Sequence, residues 1–212
     1  MKAVICTQLE GFEKLTIGDL PCPEFTKTDV LIRVQASAMN FADSLIVKGR
    51  YQVKPPLPFS PGMECAGIIE AVGDEVTHLQ KGDRVMAILD GGGFAQYAVA
   101  HSNDVFKIPD TMDFKIAATL PIAYGTSHHA LSFKANLQRN EFLVVHGASG
   151  GVGLTALEIG KKIGATVIAT ASSDNKLEIC KQYGADYTLN STLPNLREKI
   201  KELTDGQGAH VV

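Results

Sequence analysis

Residues 142–153, FLVVHGASGGVG, place a glycine-rich turn directly after an apolar run, and this combination can bind phosphate. The run FLVV has the length and apolar character of a buried strand. After the turn, LTALEIGKKIG continues with apolar residues at helical spacing. A strand, a glycine turn and a helix point free backbone N–H groups and the positive end of the helix dipole at a bound anion. We interpret the turn as a nucleotide site, and its predicted cofactor-binding residues are Ala148, Ser149, Gly150, Gly151, Val152 and Gly153.

The match of this turn to the dinucleotide fingerprint G-x-G-x-x-G is imperfect, because Ala148 stands in the place of the first glycine. Gly150 and Gly153 occupy the other two glycine positions. An ordinary tight turn between a strand and a helix is the alternative interpretation of such a glycine cluster. The clear strand before the turn and the clear helix after it favour the nucleotide site.

The end of the next predicted strand, TVIATA at 166–171, indicates which nicotinamide cofactor binds. An acidic residue at this point would bind the ribose 2′-hydroxyl and repel a 2′-phosphate, but Ser172 stands there instead. Ser172 and Ser173 offer hydroxyls, and Lys176 offers a positive charge, all of which suit a phosphate. We therefore predict NADPH as the cofactor, with NADH as the alternative.

Asp174 is the residue that would favour NADH. It lies two residues beyond Ser172 and could bind the ribose if the turn after the strand is tighter than expected. Aspartate is also a preferred N-cap residue, and a helix is predicted over 174–183. We expect Asp174 to be the N-cap of that helix.

The composition of the 212-residue chain indicates a soluble protein: 45% of the residues are hydrophobic, 20% are charged, and the net charge is -3. This balance gives no reason to expect a nucleic acid or an anionic membrane as a partner. No apolar run approaches the roughly 18 residues of a membrane span, and the first residues lack a signal-peptide core. The four cysteines form no C-x-x-C pair, which suits the reducing cytoplasm. We predict a cytoplasmic protein that acts on a small molecule.

The first half of the chain reads as short strands separated by glycine and proline turns. The predicted strands are 2–7, 15–17, 29–38, 65–73, 83–89 and 94–100. This spacing is typical of an all-β, barrel-like unit. A short helix is predicted from Asn40 to Gly49, and the four prolines of 54–62 exclude a helix or a central strand there.

The second half alternates strands and helices, which predicts βαβ units and a parallel sheet. The segment 110–133 is predicted to be helical, with local breaks at Pro121 and Gly125. From residue 142 the predicted elements are strand 142–147, helix 151–163, strand 166–171, helix 174–183, strand 186–189, helix 194–203 and the start of a strand at 209–212. The predicted class is α/β with an all-β-rich partner, divided into domains 1–120 and 121–212. A doubly wound fold needs about six strands, so we expect a truncated chain with an incomplete Rossmann domain.

Taken together, these pieces resemble the zinc-independent quinone oxidoreductase branch of the medium-chain dehydrogenase/reductase superfamily. The matching segments, in the order of the family, are NFAD at 40–43, PGMECAG at 61–67, VG at 72–73, KGDRV at 81–85, YGT at 124–126 and GASGGVG at 147–153. The resemblance implies a GroES-like catalytic domain followed by a Rossmann domain, with the ligand cleft between them. The family usually forms homodimers through late strands of its nucleotide domain, which this sequence does not contain, so the resemblance gives no support for a dimer of this chain.

The resemblance also assigns candidate site residues. Asn40, Asp43 and Tyr51 match positions that line the substrate cleft of quinone reductases, and Thr126 matches one that meets the nicotinamide. The residues by themselves leave structural alternatives open. Asn40 and Asp43 are common helix caps, Tyr51 could be a packed loop aromatic, and Thr126 could be an ordinary threonine inside a helix.

The zinc ligands of the related alcohol dehydrogenases are replaced in this sequence. Asn40 stands where the resemblance places the first cysteine, and Met63 stands where zinc-binding members have a histidine before the glutamate. No cysteine occurs between Cys65 and Cys180 to act as a third ligand. An amide and a thioether are poor replacements for thiolate and imidazole at Zn²⁺, so we predict no metal site.

Without zinc as a Lewis acid, the resemblance implies hydride transfer from NADPH to an acceptor that is electrophilic on its own, such as a quinone or an α,β-unsaturated carbonyl. Two alternatives stay open: an enoyl-thioester reductase of the same superfamily, and a nucleotide-binding regulatory protein without turnover. We expect this 212-residue chain itself to have little or no activity.

Overall fold

Two units, Met1–Ile122 and Ala123–Val212, make up the chain in a computed structural model that describes every residue. Each unit has its own hydrophobic core. The core of the first unit is built from buried strand residues such as Val30, Ile32 and Ile69. The core of the second unit joins a helix to its sheet and includes Leu143, Leu157 and Val167. None of the helices is long and apolar enough to cross a membrane.

The first unit is built from antiparallel strands, as the alternation of short apolar runs and turns predicts. Its strands are β1 (Lys2–Ile5), β2 (Thr16–Asp19), β3 (Asp29–Ser37), β4 (Glu64–Val72), β5 (Arg84–Ile88), β6 (Tyr97–His101) and β7 (Val105–Lys107). Strands β1 and β2 pair with each other, and the other five form one sheet in the order β6-β3-β4-β5-β7. The predicted strands omit β7, which has only three residues and pairs with β5 alone at the edge of the sheet.

A short helix and a proline-rich loop complete this unit near its candidate site. Helix α1 (Phe41–Ile46) begins directly after Asn40, as predicted. Residues 54–62 form no helix and no named strand, and their only ladder contact is an isolated bridge between Phe59 and Cys6. The prolines of this loop carry no N–H group, which is the physical reason that it stays irregular.

The segment that leads into the second unit is helical, but its breaks differ from the prediction. Helix α2 covers Phe114–Ala117, and its N-cap Asp113 accepts a hydrogen bond from the Lys115 N–H at 2.7 Å. A second helical stretch runs without interruption through a wide turn (Leu120–Tyr124), α3 (Gly125–His128) and a second wide turn (His129–Lys134).

The predicted breaks at Pro121 and Gly125 are therefore wrong. Pro121 is the second residue of its helical stretch, where an N–H would have no partner within the helix, so proline costs nothing there. Gly125 follows Tyr124, whose backbone is itself right-handed helical, and the helix continues through both residues. The actual interruption lies at Ala118 and Thr119, between α2 and the second stretch.

The second unit alternates strands and helices around a parallel sheet, as predicted. Its elements are β8 (Phe142–Val145), α4 (Gly151–Ile163), β9 (Thr166–Ala171), α5 (Asp174–Gln182), β10 (Tyr187–Asn190) and α6 (Leu196–Leu203). The strands lie in the order β10-β9-β8, and Val211 adds a parallel bridge to Leu143 on the open side of β8. In a doubly wound dinucleotide-binding sheet, the first strand has the second and third strands on one side and the fourth on the other. Strands β8, β9 and β10 and the bridge of Val211 have the same arrangement.

Candidate functional site

The turn after β8 has the geometry of a phosphate-binding turn, and it explains the imperfect fingerprint. Gly147 has φ +62°, a left-handed conformation that glycine adopts without strain. Ala148 is fully buried, and its N–H donates to the Thr170 carbonyl at 3.0 Å. The sharp bend therefore falls on Gly147, one residue before the first fingerprint position. Alanine is accommodated at 148 because the turn does not need a glycine there.

Two glycines at the start of α4 have different physical reasons to be glycine. A Cβ on Gly153 would lie 2.7 Å from backbone atoms of Ala148, so the first turn of the helix packs directly on the strand-to-helix turn. A Cβ on Gly151 would meet no protein atom within 4 Å. Packing within the protein thus requires glycine at 153 but not at 151, and the space beside Gly151 is free for a ligand.

The N-terminus of α4 presents unpaired N–H groups in this free space. The first intrahelical bond runs from the Leu154 N–H to the Gly150 carbonyl at 2.8 Å. The N–H groups of Gly151, Val152 and Gly153 precede it and have no partner within the helix. Gly150 is the N-cap and has no side chain that could satisfy them, and Gly151 and Val152 are exposed. This donor set fits a pyrophosphate, and half-buried Ser149 lies between the bend and the helix.

The residues predicted to select the cofactor lie together just beyond β9. Ser172, Ser173 and Lys176 are all exposed, and Lys176 Nζ lies 3.3 Å from Ser172 Oγ. The prediction that Asp174 is the helix N-cap is wrong by one residue, because Ser173 has the extended N-cap conformation and α5 begins at Asp174. Only two residues separate β9 from α5, so Asp174 already lies in the first helical turn. Its negative charge there interacts favourably with the positive end of the helix dipole.

Thr126 lies on α3, which side-chain hydrogen bonds fix to α4. Ser127 is buried, and its Oγ donates to the Val152 carbonyl at 2.8 Å and lies 2.8 Å from Thr155 Oγ1. One turn earlier, the Tyr124 hydroxyl donates to the Glu158 carboxylate, and this bond raises the pKa of Tyr124 to about 12. Thr126 itself is exposed, so its side chain is available to a ligand.

His146, at the end of β8, forms a local hydrogen bond. Its Nδ1 lies 2.9 Å from Thr170 Oγ1 on the neighbouring strand. The side chain of His146 thus has a hydrogen-bond partner within the sheet. It connects the two strand ends that carry the phosphate turn and the cofactor-selecting residues.

In the first unit, Asp43 is fully buried and binds backbone groups. One carboxylate oxygen accepts from the Asn40 N–H at 2.8 Å and the other accepts from the Gly62 N–H at 3.1 Å. Burial raises the pKa of Asp43, while these backbone donors oppose that rise. Asp43 therefore ties the start of α1 to the loop before β4, and its side chain has no surface on which to contact a substrate.

Asn40 is held through its side chain by a second buried carboxylate that the sequence did not single out. Its Nδ2 donates to Glu64 Oε1 at 2.8 Å, and Glu64 Oε2 accepts from the Ile122 N–H at 2.8 Å. Glu64 is 1% exposed. Burial raises the pKa of Glu64 above its ordinary value, and the nearby charge of Asp43 adds to that rise. The available signal was its place in PGMECAG, directly after Met63, where an acid opens an otherwise buried strand.

Apolar side chains are exposed just before α1, at its first residue and in the loop that follows it. Met39, Phe41 and Val53 are 66%, 79% and 59% exposed, and Tyr51 is half-buried.

The residues at the family's metal positions do not fit zinc. The amide nitrogen of Asn40 donates to Glu64, and Met63 offers only a thioether. Cys65, the cysteine nearest to them in sequence, is fully buried, and burial together with the charge of Glu64 raises its pKa to about 12. No group of three or more histidine, cysteine, aspartate and glutamate side chains in the chain is arranged to hold a metal ion.

Comparison with known proteins gives the class of this fold and site. Residues 26–110 match the alcohol dehydrogenase GroES-like domain, and residues 151–212 match the zinc-binding dehydrogenase domain. The chain belongs to the medium-chain dehydrogenase/reductase superfamily, and the predicted pairing of a GroES-like unit with part of a Rossmann domain is confirmed.

Within this superfamily the similar proteins include quinone oxidoreductases. The chain is 38% identical to the human quinone oxidoreductase over 214 residues, covering 100% of this chain and 65% of that protein. It is 39% identical to quinone oxidoreductase-like protein 2 homolog of Nematostella vectensis over 213 residues, covering 100% of this chain and 58% of that protein. The chain thus spans about three fifths of the length of the curated relatives that it matches.

Two solved structures extend the comparison. The quinone oxidoreductase of Thermus thermophilus, solved alone and with NADPH, has a TM-score of 0.82 and 30% identity, covering 96% of this chain and 64% of that one. The CurK enoyl reductase has a TM-score of 0.88 and 30% identity, covering 98% of this chain and 65% of that one.

Proposed function

We propose that the protein is an NADPH-dependent, zinc-free reductase of quinones or α,β-unsaturated carbonyl compounds. The observation that carries this proposal is the similarity to quinone oxidoreductases along the entire chain, at 38% identity to the human enzyme. Because the chain spans 65% of that relative, the activity is proposed for the whole protein. When bound, NADPH would supply the hydride, and the residues of the chain would bind and orient the reactants.

The N-terminus of α4 would bind the pyrophosphate of the cofactor. Gly151 and Val152 are exposed, their N–H groups have no partner within the helix, and the helix dipole favours an anion there. Gly151 has no neighbour that excludes a Cβ, so the approach of a ligand is the best reason for glycine at this position. Gly147 and Gly153 would serve the same site indirectly, by setting the bend and the packing of the helix.

Ser172, Ser173 and Lys176 would bind the 2′-phosphate that distinguishes NADPH from NADH. Lys176 already approaches Ser172, so a charge and a hydroxyl are presented together at the end of β9. The T. thermophilus quinone oxidoreductase was solved in complex with NADPH, which supports the same cofactor for this protein.

Asn40 would contact the acceptor on the side of the first unit. Its amide is fixed by Glu64, while its backbone is fixed by Asp43. The exposed apolar side chains Met39 and Phe41 would suit a flat, apolar acceptor such as a quinone. Because the residues at the metal positions do not fit zinc, the acceptor must be electrophilic without a Lewis acid, and its proton would come from water or a nearby hydroxyl.

The proposal is tested in two steps. Binding of NADPH to the 212-residue chain can be followed by the change in fluorescence of the reduced nicotinamide, which is excited directly. Steady-state oxidation of NADPH by the whole protein with a simple quinone then tests turnover, and chelators should leave the rate unchanged. A chain and a whole protein that both fail to bind NADPH would rule out the proposed function.

An enoyl-thioester reductase is the second candidate, and the fold similarity to the CurK enoyl reductase favours it. A panel of unsaturated acyl-CoA substrates separates this candidate from the first. Binding of NADPH without hydride transfer to any quinone, enone or thioester would instead favour a nucleotide-binding regulatory protein.

A further inference from the structure

Glu64 accepts one hydrogen bond at each of its carboxylate oxygens, and its partners come from distant parts of the chain. The Asn40 amide is 24 residues away in sequence and the Ile122 N–H is 58 residues away, and each donates at 2.8 Å. The position is nearly inaccessible, and Glu64 takes part in no salt bridge. Burying a carboxylate without a nearby cation lowers the stability of the folded state, and hydrogen bonds to the carboxylate offset part of that cost. Its retention calls for an explanation beyond packing.

These two donors match the ionised carboxylate of Glu64, in which both oxygens are hydrogen-bond acceptors. The backbone N–H of Ile122 cannot rotate, so one oxygen must stay an acceptor for it. The other oxygen then accepts from Asn40 Nδ2, which leaves the Asn40 amide with one orientation: its second N–H and its carbonyl oxygen face fixed directions. A protonated Glu64 or a glutamine would place a donor opposite one of these N–H groups.

We propose that Glu64 is a positioning residue, which fixes the orientation of the Asn40 amide and thereby the N–H that Asn40 offers to the carbonyl oxygen of an acceptor. This inference rests on the proposed function for its purpose, but the hydrogen-bond geometry that it describes does not depend on turnover. Asp43 contributes from the other side by holding the backbone N–H of Asn40. The two buried acids thus fix one asparagine, through its main chain and its side chain.

The electrostatic surroundings make this arrangement sensitive to pH. The charged group that faces Glu64 is Asp43 on α1, and the adjacent titratable group is the thiol of Cys65 on β4. Neither supplies a positive charge. Burial and the charge of Asp43 both raise the pKa of Glu64, so Glu64 takes up a proton at a higher pH than an ordinary glutamate does, and the proton removes the acceptor for one of its two donors.

The test is an NMR titration of the isotope-labelled 212-residue chain, which requires no turnover. We expect the Asn40 side-chain NH2 and the Ile122 backbone N–H to shift with one common midpoint, above the ordinary value of 4.5 for glutamate. The Gly62 N–H, which donates to Asp43, reports the titration of that neighbour separately. Different midpoints for Asn40 and Ile122, or a common midpoint at or below 4.5, would overturn the proposal.

Glu64→Gln should abolish the titration of the Asn40 NH2 signal and shift it from its wild-type position. Glu70→Gln is the matched control, because Glu70 lies on the same strand but is exposed and paired with Lys81. It should leave the Asn40 signal unchanged. If Glu64→Gln does not fold, the wild-type titration decides the question alone.

In the whole protein, Glu64→Gln should lower kcat/KM for a quinone by about tenfold, the effect of one lost charge-assisted hydrogen bond, while Glu70→Gln should retain it. In the wild type, the fall of kcat/KM at acid pH should have the same midpoint as the NMR titration of the Asn40 NH2 signal. An acid limb that persists unchanged in Glu64→Gln would contradict the positioning role. If no NADPH is oxidised by the wild-type protein, the proposed function fails while the NMR titration still decides the role of Glu64.

Discussion

Gly153 lies so close to Ala148 that a Cβ on the glycine would come within 2.7 Å of the alanine backbone. This contact fixes the first turn of α4 against the bend that follows β8. It also separates two glycines that look equivalent in the sequence, because Gly151, two residues earlier, has no neighbour within 4 Å of such a Cβ. Gly153 is required by the fold, whereas Gly151 is free to contact a ligand.

Substituting these two glycines should therefore separate stability from cofactor binding. Gly153→Ala should destabilise the chain by about 1–3 kcal/mol, because the added methyl group forces backbone atoms apart. Gly151→Ala should leave the free energy of unfolding nearly unchanged, or raise it through better helix propensity, and should weaken NADPH binding. Urea denaturation and NADPH fluorescence measure the two effects. Equal destabilisation by both substitutions would contradict the assignment.

Gly147→Ala should also lower the free energy of unfolding, by about 1–2 kcal/mol, because φ +62° is strained for any residue with a Cβ. Gly125→Ala provides the control. Gly125 lies at the start of α3, has no positive φ and has open space where the methyl group of alanine would lie, so alanine there should be neutral or stabilising. Thermal or urea unfolding of both variants checks the difference. A Gly147→Ala variant as stable as the wild type would show that the bend tolerates a side chain.

Under the proposed function, Lys176→Glu should weaken NADPH binding about tenfold or more, since it would remove one charge-assisted contact to the 2′-phosphate and introduce a repulsive charge. NADH binding should change little. Lys181→Glu on the same helix is the matched control, since Lys181 pairs with Glu178 on the exposed surface of α5. Fluorescence titrations with both nucleotides give the comparison. A similar loss for NADPH and NADH would place Lys176 away from the 2′ position.

The buried and exposed acids of β4 should respond to pH with opposite signs. Burial raises the pKa of Glu64, so between the ordinary value of 4.5 and the raised value the folded state holds more protons than the unfolded state. The contribution of Glu64 to folding stability is therefore most favourable at low pH. The free energy of unfolding falls as pH rises from the ordinary pKa to the raised pKa of Glu64. Relative to Glu64→Gln, the wild type should lose stability over the same range.

Glu70 should behave in the opposite way, because its hydrogen bond to Lys81 lowers the pKa of its carboxyl. The contribution of Glu70 to folding stability is present above the ordinary pKa of glutamate and is lost as pH falls through the lowered pKa. The effect should be small because the pair is exposed. Urea denaturation of both glutamine variants between about pH 3 and 7, a range that extends to both sides of the ordinary glutamate pKa, measures the two slopes. Slopes of the same sign would contradict the assigned pKa directions.

How much could be predicted depended on whether the determinants were local. The start of α4 at Gly151 was predicted correctly because the strand, the glycines and the helix periodicity lie within one short segment. The N-cap of α5 was misplaced by one residue, since Ser173 and Asp174 are both good caps and only the path of the chain after β9 decides between them. The uninterrupted helix through Pro121 and Gly125 was missed because the true start of that helix, just before the proline, has no strong sequence signal.

The part of the site that escaped prediction depends on contacts between distant residues. Asn40 and Asp43 could be recognised as candidates, but their alternatives as helix caps could not be resolved from the sequence. The structure shows that Asn40 and Asp43 form a capping box at the start of α1, and that the Nδ2 of Asn40 also donates to Glu64, 24 residues away. A single sequence contains no signal for such a pairing, because it is the antiparallel sheet that brings the start of β4 to the start of α1.

Under the proposed function, the burial of Cys65 has a consequence for the protein when it meets its quinone substrate. Quinones and enones are themselves alkylating agents for thiolates, so a reductase of these compounds is exposed to inactivation by its own substrate. Cys65 follows Glu64 directly, yet it is fully buried and burial keeps its pKa at about 12, so the reactive anion is absent at neutral pH. Cys22 is the exposed cysteine of the chain, and covalent adducts would collect there, on a residue that takes no part in holding Asn40.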